Sequence, residues 1–195
     1  MEITLDLNKR YTYADYLTWI DDVRRELLEG LIKLMPAPRS VHVDVSYNIS
    51  WHLGAILQKN KGMCKVCPAP FDVRFPINGE TEDGKIYTVL QPDISVICDL
   101  SKLDEYGCLG APDMIVEVLS PSTASRDLKD KFDIYEKHGV REYWIVYPKD
   151  KAVNIFLLQD DGKYDAGRLY DRAGQIPVHI FDGYSIDFDD IFNQK

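Results

Sequence analysis

The strongest constraint on the fold lies between residues 114 and 147. Met114-Ile115-Val116-Glu117-Val118-Leu119 is an apolar run of strand length, interrupted by one carboxylate. Ser120-Pro121-Ser122-Thr123 breaks it, residues 125–138 follow with helical spacing, and Gly139 stands where a left-handed residue closes a helix. Residues 142–147 form a second apolar strand, stopped by Pro148. Strand, helix, strand in this order is a βαβ unit, so the two strands are expected to be parallel neighbours.

The rest of the chain supplies layers around that unit. Thr12 is expected to cap a helix over residues 13 to about 23, and residues 25–35 read as a hairpin turning at Glu29-Gly30. Ser40 caps a longer predicted helix to about residue 59, with Val41, Val45, Ile49, Leu53, Ile56 and Leu57 at helical spacing and Gly62 just past its end. Phe71, Val73 and Phe75 alternate with Asp72 and Arg74, as in a half-buried strand. Residues 78–85 read as a surface loop, and residues 87–90 and 94–97 as strands inside a sheet. Residues 152–179 are hairpin-rich, with turns at Asp161-Gly162 and Ala173-Gly174, and the acidic run 187–190 is expected in solvent. The reading is an α/β (α+β) chain, a mixed β-sheet flanked by helices. It forms one domain over 1–195, with a core of about 12–160 and a C-terminal β extension over 161–195.

Composition narrows the function. With 45% hydrophobic and 28% charged residues, the chain is neither disordered nor fibrous. No apolar run approaches the roughly 18 residues needed to cross a bilayer, and the first ten residues lack a signal-peptide core. A cytoplasmic protein without a membrane partner is expected. Against 32 acids stand 23 lysines and arginines, a net charge of −9, which excludes binding nucleic acid by bulk charge. A local basic patch, or a metal ion neutralised by carboxylates, is left open. Cys64 and Cys67 make a C-x-x-C, but Cys98 and Cys108 lack zinc-knuckle spacing, and residues three apart on a strand face opposite ways. Disulfides are not expected in a cytoplasmic chain. His42, His52, His138 and His179 form no metal-ligand spacing.

Three residues are polar where the pattern calls for apolar ones. Asp93 opens a strand after Gln91-Pro92, a place that also suits an ordinary turn residue. Glu117 shares its strand face with Ile115 and Leu119, so it is either exposed at the strand's end or buried with a partner. On a helical wheel, Lys131 falls between Ile134 and Tyr135, on the sheet-facing side with Leu128 and Phe132. It can snorkel to water, or pair with Asp127 one turn earlier. Taken together, the three converge across one βαβ unit. Two carboxylates with open water positions suit Mg²⁺ or Mn²⁺, and a lysine can orient the attacking water and steady developing charge. That is equipment for hydrolysing a phosphodiester.

Several segments resemble the Uma family, a large group assigned to the restriction endonucleases and once filed as a domain of unknown function. They are Gln91-Pro92-Asp93, the run from Ala111-Pro112-Asp113 through Glu117 to Thr123, Asp127…Lys131…Tyr135, and Gly139-Val140-Arg141-Glu142-Tyr143-Trp144. Glu26-Leu27-Leu28-Glu29-Gly30, Met35-Pro36…His42 and Pro68-Ala69-Pro70-Phe71-Asp72-Val73-Arg74 extend the likeness over about residues 12–160. The resemblance implies the restriction-endonuclease-like fold and its PD-(D/E)XK site, with Asp93 as first acid and Glu117 as second. The superfamily's usual lysine position is Leu119 here. The resemblance therefore implies a lysine migrated to the following helix, at Lys131. It also implies that Glu26 is an added acidic residue of the site, where the sequence alone would leave a solvated hairpin charge. His42 falls in the pattern without an assigned role.

The expected activity is a Mg²⁺- or Mn²⁺-dependent DNA endonuclease, with a non-catalytic module retaining the nuclease fold as the alternative. Arg39, Lys59, Lys61, Lys65 and Arg126 are candidate DNA contacts. A homodimer would match the two strands of a duplex. Phe156, Tyr164 and Tyr170 could serve that interface or belong to the core.

Overall fold

The computed structural model describes residues 5–60, 63–119 and 126–193; the side chains of residues 60 and 126–128 lie outside that description. In chain order the elements are α1 (Tyr13–Tyr16), β1 (Arg25–Leu28), β2 (Leu31–Leu34), α2 (Ser40–Asn60), β3 (Lys65–Pro68), β4 (Val73–Arg74), β5 (Val89–Leu90), β6 (Ile94–Ile97), β7 (Leu103–Asp104), β8 (Gly107–Leu109) and β9 (Met114–Val118). Then come α3 (Arg126–His138), β10 (Glu142–Tyr147), β11 (Ala152–Leu157), β12 (Arg168–Tyr170), β13 (Gln175–Pro177), β14 (Ser185–Asp187) and α4 (Phe188–Phe192).

The βαβ unit forms as expected. β9 and β10 are parallel, in register from Met114 opposite Glu142 to Val118 opposite Val146. They are the centre of a main sheet ordered β12-β11-β10-β9-β6-β3, whose other pairings are antiparallel. α3 ends as Gly139 adopts φ 84°, and the N–H groups of Gly139 and Val140 close on the carbonyls of Glu136 and Tyr135. Strand alternation sends Met114, Val116 and Val118 to the face covered by Val45, Ile49, Leu53 and Ile56 of α2. Ile115, and with it Glu117, turns to the opposite face, where Ile134 and Tyr135 of α3 pack. A second sheet, β2-β1-β5-β4-β8-β7, carries the N-terminal hairpin.

The hairpin turns at Glu29-Gly30, with φ 49° and 87°. Thr12 and Asp15 cap α1 reciprocally, as a capping box. Yet α1 ends at Tyr16, short of the expected residue 23. A short helix survives by packing its apolar face, and Leu17 and Ile20 are exposed. Arg74 also departs from expectation, for it is buried. β4 has both its residues buried, and Arg74 pairs with Asp104 and lies over the Tyr13 ring.

Two further expectations are corrected. Cys64 and Cys98 are joined in a disulfide, because the antiparallel β3–β6 register, continued by one position, sets them opposite each other. Cys67 faces the other way and is a free, buried thiol. The acidic run 187–190 is not simply solvated. Asp187 caps α4 by accepting from the Asp189 N–H, while Phe188 and Ile191 are buried. With Ile176, Val178, Phe181 and Ile186 they join the core beneath α2, beside Trp144. Phe156 and Tyr164 pack against Phe132 and Tyr143, so they belong to the core rather than to a free face.

Glu142 ties this C-terminal layer to the main sheet. Its fully buried carboxylate accepts from Trp144 Nε1 at 2.7 Å with one oxygen and from the Ile180 N–H at 2.7 Å with the other. Burial pushes its carboxyl above the ordinary range, and the two donors only partly offset this. Glu142→Gln would turn an amide N–H₂ toward one of those donors. The expected cost is about 1–3 kcal/mol, read as a lowered urea midpoint with an unchanged slope.

Candidate active site

The site begins where the chain changes sheets. Pro92 has no N–H to continue a ladder, so residues 91–93 carry the backbone from β5 in the second sheet to β6 in the main sheet. On one side of this crossing, the Gln91 N–H donates to Glu26 Oε1 at 2.8 Å. On the other, Asp93 Oδ2 accepts from the Val118 N–H at 2.7 Å. The β6–β9 register pairs Ile94 with Val116, so one step further sets Asp93 opposite Glu117. The Gln91 side chain is fastened as well. Its amide donates to Asp72 Oδ1 at 2.8 Å and accepts from the Arg24 guanidinium at 2.8 and 3.2 Å.

Helix α3 supplies the cation. Lys131 Nζ lies 2.9 Å from Glu117 Oε1 and 3.0 Å from Glu26 Oε1. One turn on, the Tyr135 hydroxyl donates to Glu117 Oε1 at 2.6 Å. All of these groups are buried or nearly so, so the charges act in a low dielectric. Burial pushes the Glu117 carboxyl above its ordinary range, Lys131 pulls it back, and Asp93 and Glu26 push it further up. For Lys131, burial alone would favour the neutral amine, but Glu117 and Glu26 outweigh it and hold the ammonium above its ordinary range.

His42, on α2, reaches the same cluster. Its Nε2 is 3.2 Å from Asp93 Oδ2. The hydrogen bond to Asp93 favours the imidazolium, against burial, and Glu117 and the Val118 backbone add to it. Glu26, His42, Asp93, Glu117 and Lys131 line one cavity of about 420 Å³, together with Met35, Pro36 and Pro38.

The arrangement places the residues singled out from sequence as follows. Lys131, Glu117 and Glu26 are in direct contact, and Asp93 lines the same cavity. Asp127, the expected partner of Lys131, has its side chain outside the described residues. Of the expected DNA contacts, Arg39 lines the cavity, whereas Lys59 and Lys65 do not. Lys59 lies twenty residues along the helix from Arg39, about 30 Å away. Lys61 and the Arg126 side chain lie outside the described residues. Arg24 and Lys33 line the cavity instead, brought there by the β1–β2 hairpin. Sequence reasoning passed over Tyr135, Gln91 and the contact made by His42. Tyr135 had a signal, its four-residue spacing from Lys131 on one helix face.

The mixed sheets and their flanking helices make a fold of the restriction-endonuclease-like class. A family model described as "Putative restriction endonuclease", Uma2, matches residues 13–189, and the chain belongs to that family. It is 27% identical over 157 residues to the uncharacterized protein slr1290 of Synechocystis sp., covering 77% of this chain and 75% of that protein. Its fold is similar to the crystal structure of a putative nuclease belonging to DUF820 from Anabaena variabilis. There the TM-score is 0.73 at 19% identity, over 93% of this chain and 97% of the other.

Removing one partner of a buried ion cluster leaves the others uncompensated. Lys131→Met is expected to cost roughly 3–5 kcal/mol in urea unfolding. Adding Glu117→Gln to it should return part of that loss, since one stranded charge is then gone.

Proposed function

We propose that this chain is a divalent-metal-dependent nuclease that hydrolyses DNA phosphodiester bonds at Asp93, Glu117 and Lys131. The observation that carries this reading is the Lys131 ammonium, held by two carboxylates on the floor of a cavity that Asp93 also lines. Membership of a family named for restriction endonucleases supports it.

The donor set fits Mg²⁺ or Mn²⁺. Its oxygens are hard, and Asp93 Oδ1 and Glu117 Oε2 accept no hydrogen bond from another described residue. Among the described residues, no three His, Cys, Asp or Glu side chains form a ready-made cage. Mg²⁺ does not require one, since it is usually bound through one or two carboxylates and keeps several waters. Asp93 and Glu117 would hold the ion. When bound, such an ion supplies Lewis-acid polarisation of the phosphoryl oxygen and a water of lowered pKa.

The chain's own residues do the positioning. The Val118 N–H and His42 fix the Asp93 carboxylate, and Tyr135 fixes Glu117. Lys131, held charged, is no proton acceptor; it donates hydrogen bonds toward the oxygens on which negative charge grows. Glu26 keeps the ammonium in place from the opposite side, itself anchored by the Gln91 N–H.

The test is cleavage of plasmid DNA and of a single-stranded oligonucleotide with Mn²⁺. Asp93→Asn and Lys131→Ala are each expected to lower the rate by about a hundred-fold or more, and EDTA to abolish it. Calorimetry with Mn²⁺ should show binding by the parent protein and its loss in Asp93→Asn. A parent protein that binds no Mn²⁺ and cuts nothing would instead be the non-catalytic module.

A further inference from the structure

Helix α2 has a second side that carries exposed aromatic rings, of which Trp51 meets the neighbouring His52 ring edge-on at 4.8 Å. Val45, Ile49, Leu53 and Ile56 are buried in the core. Roughly opposite, Arg39, Val43, Tyr47 and Trp51 recur every four residues and form one stripe along the helix surface. Val43 is 49% exposed, Tyr47 67% and Trp51 58%. The stripe is continuous with the candidate active site, because Arg39, Val43 and Tyr47 line the same cavity as Asp93 and Glu117. Trp51 stands one helical turn beyond Tyr47, about 6 Å further out.

We propose that the substrate reaches this site as an unpaired nucleic-acid strand, with bases stacked on Tyr47 and Trp51. This rests on the nuclease reading above and names the form of its substrate. Besides Lys131, three cations, Arg24, Lys33 and Arg39, line the cavity, and none of these three forms a salt bridge with another described residue. The Gln91 side chain holds the Arg24 guanidinium in place. In a chain of net charge −9, this gathers positive charge near a floor of carboxylates, which complements a phosphate backbone. An aromatic ring stacks only on a base whose face is open, and in a duplex neighbouring pairs cover both faces. The two exposed rings therefore suit a stacked single strand better than a duplex. A second copy of the chain fits less well. A two-fold contact sets the same patch against itself, which would bring these cations together.

The experiment is fluorescence anisotropy with a labelled oligothymidylate and a labelled duplex, in Ca²⁺ without turnover. Circular dichroism checks the fold, and sedimentation velocity follows oligomeric state. The parent should bind the single strand more tightly than the duplex. Tyr47→Ala and Trp51→Ala should each weaken strand binding about ten-fold and leave duplex binding nearly unchanged, while Trp51→Phe retains most of the strand affinity. A folded Tyr47→Ala/Trp51→Ala protein that binds the strand as well as the parent would overturn the proposal. So would a parent dimer that the double variant dissolves with strand affinity intact, which would make the stripe an interface between copies. Because binding is measured apart from cleavage, failure to cut with Mn²⁺ sinks the nuclease reading alone. Ring-independent strand binding by a protein that does cut sinks only the stacking proposal.

Discussion

One ammonium group organises this molecule. Lys131 reaches from α3 to Glu117 in the main sheet and to Glu26 in the second sheet, so three separate elements meet on a single nitrogen. Two carboxylates this close and this buried repel, and each would be costly without a counter-charge. The lysine meets both demands at once. It also explains why a hydrophilic residue is tolerated on the sheet-facing side of an otherwise apolar helix surface. A buried ion cluster is a poor source of net stability compared with packed hydrocarbon.

The surrounding architecture serves that cluster. The Gln91-Pro92-Asp93 crossing joins the two sheets, and its three residues do different jobs. Gln91 anchors Glu26 through its backbone and Arg24 through its side chain, Pro92 interrupts the ladder, and Asp93 caps the Val118 N–H. The parallel β9–β10 pair fixes the height of Glu117, and the closed C-terminus of α3 fixes the height of Lys131 and Tyr135. Helix α2 then does double duty. Its inner side packs the core and brings His42 to the acids, and its outer side carries the exposed aromatic rings.

Much of this was legible in the order of residues. The βαβ unit, the Glu29-Gly30 hairpin and α2 follow from local pattern: strand length, turn chemistry and helical spacing are set by neighbours in sequence. Lys131 and Glu117 stood out because each broke its element's hydrophobic pattern. What could not be read were contacts between elements far apart in the chain. By residue pattern alone Glu26 read as a solvated hairpin charge; the family resemblance assigned it to the site, and the pairing of β1 with β5 is what carries it toward Lys131. The short α1, the buried Arg74 and the Cys64–Cys98 bridge also depended on which surfaces and strands became neighbours.

The sequence alone determined the βαβ unit, the Glu29-Gly30 hairpin and α2, and which three polar residues demanded an explanation, since periodicity and the cost of burying charge act locally. Only the tertiary structure decided that Glu26 meets Lys131, and that His42, Gln91 and Tyr135 hold the acids in place. The reason is physical. Hydrogen bonds and ion pairs act over about 3 Å, and packing alone chooses which distant residues come that close.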